Sequence, residues 1–276
     1  MPTRPDTLLV GCGDLGARIG LRLAARGRTV LALRRRAHLV PAPLLARAVD
    51  LTREIPQLPP GDFTQLVVVL TAGARDPQAY RQVYVEGMRR ALDGLARSGA
   101  LPHHAVLVSS SAACSGEGEI TEESPSHPRS ATGAVLLEAE ELFQERLPHG
   151  SVIRFAGLYG PDRSWVTDAV RAGRWGEHRW VNLIHREDAA EAVVHLLERE
   201  SPEPLYLGVD TEPAPSSEVL SYAANLLRLP GPPEPSTPIS GKRLSSARLR
   251  ATGFTFTYPT YREGLRNCGE HRPARG

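Results

Sequence analysis

Three glycines carry the first chemistry in the chain. In GCGDLG, Gly11, Gly13 and Gly16 separate an apolar run, TLLV, from a segment with Leu15, Ile19 and Leu23 at helical spacing. A strand, a glycine turn and a helix in that order make a cradle for phosphate. Gly11 permits the tight turn, Gly13 lets the backbone approach a pyrophosphate, and Gly16 lets the helix pack closely on the sheet. The residues that open the helix, Asp14 and Leu15, present their amides to the anion at the positive end of the helix dipole. Residue types and spacing predict a dinucleotide site, and Cys12 inside the loop reads as packing.

The cations decide which dinucleotide is expected. An acidic residue at the end of the second strand would bond the ribose 2′-hydroxyl of NAD, about 20 residues past the loop. Arg34, Arg35 and Arg36 stand there instead. Guanidinium groups pair with a phosphate and offer no acceptor to a hydroxyl. NADP is therefore expected over NAD. Among the 33 basic residues only Lys242 is a lysine, so chemistry that needs an amine has one candidate.

Other reactive groups are scattered. His127, His149 and His185 are isolated in sequence, and Cys114, beside a serine run, has no evident basic partner. The carboxylates of GEGEITEES (116–124) read as a solvated loop. No metal-ligand spacing and no G-x-S-x-G elbow is present, so no metal is expected. A net charge of +2 over 276 residues is too small to argue for nucleic acid or a membrane surface. Three widely spaced cysteines make no disulfide framework. The N-terminal residues carry no long apolar run, and no uncharged apolar stretch reaches the roughly 18 residues of a membrane span, so a cytoplasmic location is expected.

The elements that must position these groups alternate. Strands are expected at TLLV, TVLALRRR, RAVDLT, QLVVVLTAG, HAVLVSSSA and GSVIRFAGLYGP, the fourth apolar throughout and therefore central. Helices fall after the glycine loop, over 80–98 and over 130–147. This rhythm predicts an α/β fold, a doubly wound parallel sheet of the Rossmann type. After Pro161 the rhythm breaks. RWVNLIHREDAAEAVVHLLERE gives a strand and a helix, EPLYLGVD a short strand, SSEVLSYAANLLRLPG a helix, and PGPPEPSTP a surface connection. Residues 269–276 are expected to fray. The expected organisation is a nucleotide-binding domain over 1–160, to which 178–198 return, and a smaller C-terminal substrate-like domain over 161–177 and 199–276. The cleft between them, at the carboxyl ends of the strands, is where ligands bind in such sheets.

With these motifs in order, the chain resembles the extended, atypical short-chain dehydrogenase/reductase superfamily, and within it the NAD-dependent epimerase/dehydratase-like members. VDLT (49–52) is similar to the pair beside adenine, which implicates Asp50 and Leu51. LTAGA (70–74) matches the segment that passes the cofactor, with Thr71 and Ala72. VSSSAACSG (108–116) matches the strand that presents a catalytic serine, here Ser111. RFAGLYGP (154–161), VNLIHREDAAEAVVHLL (181–197) and GKRLSSARLRATGF with YPTYREGL match later segments.

One departure bears on activity. The family's reaction centre is Tyr-x-x-x-Lys at the start of a helix. Laid on PRSATGAVLLEAE, the Tyr position is Thr132 and the Lys position is Leu136, with Pro128, Ser130, Gly133 and Glu140 keeping the register. Tyrosine titrates near 10 and is lowered by a neighbouring cation. A threonine hydroxyl can hydrogen-bond but is a poor proton carrier, and leucine cannot hold ribose hydroxyls. Tyr84, where the family has Asn, is the first candidate replacement, with Tyr159 another. The resemblance implies an NADP-binding oxidoreductase on an unidentified small polar substrate, a nucleotide sugar by analogy. A silent NADP-binding sensor acting through a protein partner is the alternative. It also implies a homodimer through the two long helices.

Overall fold

A computed structural model describes residues 4–59, 62–161 and 163–270. The chain forms two compact units. One takes Met1–Cys114, Ser126–Arg154 and Ala190–Tyr206, and the other takes Ser115–Pro125, Phe155–Ala189 and Leu207–Gly276. The segment expected to return to the first domain, 178–198, thus divides at 189/190. The fraying expected at 269–276 lies, from 271 onward, outside the described residues; 269 and 270 end a helix.

The first unit begins β1 (Thr7–Val10), α1 (Asp14–Ala25), β2 (Val30–Arg34), β3 (Leu45–Ala48), β4 (Gln65–Val68). Helical residues follow in three stretches: α2 (Pro77–Tyr80), a π stretch (Arg81–Gly87) and α3 (Met88–Arg97). Asp76 starts them, its carboxylate accepting from Ala79 N at 2.8 Å. The one regular helix expected over 80–98 is therefore longer and contains a π segment, a geometry that is rare and clusters at functional sites. Then come β5 (His104–Ser110), β6 (Gly118–Ile120) of the second unit, α4 (Ala131–Arg146) and β7 (Ser151–Phe155).

The main sheet has seven strands, which include β11 (Leu205–Gly208), in the order β11-β7-β5-β4-β1-β2-β3. The β3–β2–β1–β4–β5 pairs are parallel. β4 lies fourth of seven and is buried along its length, as its apolar run requires. The strand order reverses between β1 and β4, which is where doubly wound sheets bind ligands. The third strand was expected at RAVDLT, yet β3 stops at Ala48. Asp50 turns the chain, accepting from Thr52 N at 3.1 Å and Thr52 Oγ1 at 2.7 Å. Leu8, Val10, Leu66, Val68, Val85, Met88 and Phe143 are among the residues of this unit's core.

In the second unit the expected sixth strand splits. β7 ends at Phe155, and β8 (Gly157–Tyr159) pairs in parallel with β10 (Leu183–His185). Between them lie α5 (Trp165–Arg171) and β9 (Trp180–Val181). After α6 (Arg186–Leu197) and β11 come β12 (Ala214–Pro215), α7 (Ser216–Leu227), β13 (Lys242–Leu244), α8 (Ala247–Ala251) and α9 (Tyr261–Glu270). GEGEITEES is not a solvated loop throughout. β6 within it pairs with β13, and the side chain of Glu122 is buried, its Oε1 accepting from Leu207 N at 2.9 Å. Burial raises the pKa of Glu122. Tyr159, Val166, Val219, Ala223 and Tyr261 lie in the separate core of this unit.

Candidate functional site

The glycine loop leaves β1 at the switch point. Gly11 has φ +95°, and a Cβ there would lie 2.3 Å from the carbonyl oxygen of Val69. A Cβ on Gly16 would lie 2.3 Å from the Gly11 carbonyl oxygen. Those two positions need glycine for the turn and for close packing. Gly13 differs, because a Cβ there would meet nothing within 4 Å. Gly13 is also the N-cap of α1 and supplies no side-chain cap. Asp14 turns its carboxylate to Arg18 at 3.2 Å, and Leu15 is buried. Open space over an uncapped helix end is the geometry a pyrophosphate requires, so these residues fit a dinucleotide.

Of the three arginines, Arg34 lies beside this loop. Arg34 donates through Nη1 to the Leu39 carbonyl at 2.9 Å. Its charge reaches Cys12, although burial outweighs it and raises the Cys12 thiol pKa. Asp50 is held below the usual carboxylate range by the Thr52 hydroxyl first, with further help from Arg35 and Arg53. Leu51 is buried, its Cβ 3.6 Å from where a side chain on Gly87 would begin. Arg34, Arg35, Asp50 and the loop thus share the carboxyl-end rim of β1, β2 and β3.

At the same end of β4 and β5, the turn that carries Ser111 meets the first turn of α4, and the π stretch that carries Tyr84 packs against α4. Tyr84 is hydrogen-bonded to the backbone of Ala72, and burial raises its hydroxyl pKa above the ordinary value. Its ring lies 5.0 Å from that of Tyr80. Ser111 opens a short 3-10 turn (Ser111–Ala113) after β5, and Ser110 Oγ accepts from Ala112 N at 3.2 Å. The first turn of α4 touches that turn, because a Cβ on Gly133 would lie 2.4 Å from the Ala112 carbonyl oxygen. Ser130 caps the helix, accepting from Gly133 N at 3.0 Å, and its Oγ lies 3.2 Å from Thr132 Oγ1. Leu136 is buried.

Behind this turn lies a feature that sequence reasoning missed. Glu140 of α4 and Arg154 of β7 form an ion pair at 2.6 Å with both side chains 4% exposed. Arg154 also reaches Ser126 Oγ at 2.8 Å and Cys114, while Ser109 donates to Glu140. Burial alone would lower the Arg154 pKa, but the hydrogen bonds and charge of Glu140 outweigh it and raise it. Cys114 therefore has a basic partner after all, 40 residues away in sequence. Glu140 in the helix pattern and the Arg of RFAGLYGP were visible signals, though nothing in their spacing joined them. His149, expected to be isolated, lines one hollow with His103 and His104.

The remaining candidates belong to the second unit. Tyr159 is fully buried, and burial raises its pKa far out of the neutral range. His185 is buried with its ring 3.9 Å from Tyr258 and 5.4 Å from Tyr159, and its Nδ1 accepts from Glu187 N. Both pack that unit. Asp188 accepts from Thr257 N at 2.8 Å and Tyr258 N at 2.9 Å, which ties down YPTYREGL. Among the described residues no group of His, Cys, Asp or Glu is arranged to hold a metal ion, and no helix is long and apolar enough to cross a membrane.

The fold and glycine loop define a class, and the comparisons agree with it. The chain belongs to the NAD-dependent epimerase/dehydratase-like branch of the extended short-chain dehydrogenase/reductase superfamily, in the family of protein YeeZ of Escherichia coli. It is 30% identical to the YeeZ protein of strain K12 over 269 residues, covering 91% of this chain and 95% of that one. It is 26% identical over 293 residues to a Streptomyces protein named 3-diazoavenalumate denitrifying reductase, covering 92% and 96%. A solved structure from Methylobacillus flagellatus, described as a candidate NAD-dependent epimerase/dehydratase, is 32% identical with a TM-score of 0.79, covering 95% and 96%. MoeE5, solved with UDP-glucose and NAD, is 20% identical with a TM-score of 0.76, covering 96% and 97%, and shares the fold. No protein-family model matches the chain.

Proposed function

We propose that the protein is an NADP(H)-dependent oxidoreductase acting on a small polar substrate without the Tyr-x-x-x-Lys pair. The observation that carries this reading is the open space over Gly13 at an uncapped helix end, with Arg34 beside it. The pyrophosphate would rest on the amides of Asp14 and Leu15. The 2′-phosphate would pair with Arg34 and Arg35, and adenine would lie against Asp50 and Leu51. Thr71 and Ala72 would pass beside the coenzyme, held there by Tyr84. The Streptomyces relative is named a reductase, and MoeE5 was solved with NAD, which supports a nicotinamide coenzyme here.

Bound NADPH would supply a hydride. The side chains near it would orient the substrate: Ser111 and Thr132 offer hydroxyls to a substrate oxygen. Neither hydroxyl is acidic enough to carry a proton near neutral pH, and the Tyr84 pKa moves the wrong way for that work. The proton would then come from the substrate itself or from water. Fluorescence titration with NADPH and NADH, followed by NADPH consumption over carbonyl and sugar-nucleotide panels, tests this reading. Tighter NADPH binding and turnover of a panel member are expected. Tighter NADH binding would sink the coenzyme assignment, and tight NADPH binding without turnover would leave the sensor reading in its place.

A further inference from the structure

All three tryptophans of the chain fall between residues 165 and 180. Two of them line an open groove of about 480 Å³ in the second unit, together with Ala169, Arg174, Arg179 and Leu220. An adjoining hollow of about 330 Å³ shares Trp175 and Leu220 and is walled by the proline-rich stretch 232–237. His178 holds that wall, its Nδ1 2.9 Å from the Thr237 carbonyl oxygen and its Nε2 3.4 Å from Ser217 Oγ.

The groove offers two kinds of unused chemistry. Trp180 lies under the Arg243 guanidinium at 5.1 Å, but neither Trp165 nor Trp175 has a ring or cation partner among the described residues. Trp165 is 41% exposed, a large apolar surface to leave in water. Arg174 and Arg179 are exposed, and neither makes an ion pair among the described residues. Glu177 is the one acid on the lining, so the groove keeps a net positive charge. Its volume is that of a site for a small organic molecule.

We infer that this groove binds a small aromatic acid. The indoles take the ring, and the Arg174 and Arg179 guanidiniums take the carboxylate, for which their planar forks are suited. The inference does not depend on the coenzyme reading and is tested without coenzyme. The probe is 4-hydroxybenzoate, titrated by calorimetry and by intrinsic tryptophan fluorescence, which reports only on residues 165–180. The acid is expected to bind and quench. The amide analogue 4-hydroxybenzamide and the non-aromatic cyclohexanecarboxylate are each expected to bind at least about tenfold more weakly, and the exposed pair R174Q/R179Q to lose about as much. Trp175→Leu, its fold checked by melting, gives a second arm with the same expected loss. No binding of 4-hydroxybenzoate, equal binding of either analogue, unchanged affinity in R174Q/R179Q, or tighter binding of uridine monophosphate would overturn the assignment.

Discussion

At the scale of single residues, two of the three glycines of the loop have opposite jobs. Gly11 is needed for folding, through its positive φ and its contact with Val69. Gly11→Ala should lower stability by about 2–4 kcal/mol in urea unfolding. Gly13 has an ordinary negative φ and open space beside it. Gly13→Ala should leave unfolding nearly unchanged and weaken NADPH binding by about tenfold or more, because the new methyl occupies the phosphate space. A variant that binds NADPH normally would remove the loop from the site. Tyr84 is the other residue whose role its surroundings narrow. Tyr84→Phe should cost about 1 kcal/mol from the lost hydrogen bond to Ala72. At saturating NADPH its turnover with any substrate found should match the parent, and a tenfold lower saturated rate with a changed pH profile would make Tyr84 a proton carrier after all.

Among the elements, α4 buries a charge within the apolar face it presents to the core through Ala139, Leu142 and Phe143. Glu140 and Arg154 sit in the core, and a lone buried charge is far more costly than a pair. Glu140→Ala should destabilise the first unit by about 3–5 kcal/mol. The double variant Glu140→Leu with Arg154→Met should recover much of that loss, since an apolar pair of similar volume replaces both charges. Denaturant midpoints of the three proteins check this, and an equally unstable double variant would refute it. The strand–loop–helix start of the chain is written in short-range spacing, and so is the central β4. The Asp50 turn that shortens β3 and the π stretch around Tyr84 are set by hydrogen bonding and packing, which hydrophobic periodicity does not record.

Over the whole molecule, pH dependence should be set by the acids buried in the second unit. Asp210 is 1% exposed, accepts from Glu212 N at 3.1 Å, and its Oδ2 has no partner among the described residues. Burial first, then the charges of Glu212, Asp188 and Glu263, raise its pKa well above the usual value. Asp188 is raised in the same direction. Such an acid binds more protons folded than unfolded. Its contribution to stability is complete below the unfolded pKa near 3.9 and is lost as pH rises through the folded value. Unfolding measured at about pH 5 and about pH 8 should show the parent losing stability with rising pH and Asp210→Asn losing less. Equal losses would mean that Asp210 ionises freely in the fold.

Sequence alone determined the alternating α/β order, the glycine loop, the arginines that begin at the end of β2, and the Thr132 and Leu136 of the first turns of α4. These are local patterns, complete within a few residues or within one helix turn. Tertiary structure alone decided that Gly13 faces open space, that Cys114 meets Arg154, that the side chain of Glu122 is buried, and that Trp165 and Trp175 share one groove with Arg174 and Arg179. Each of these depends on which distant side chains the sheet and its connections bring within a few ångströms, and burial, charge pairing and open volume exist only once that packing is made.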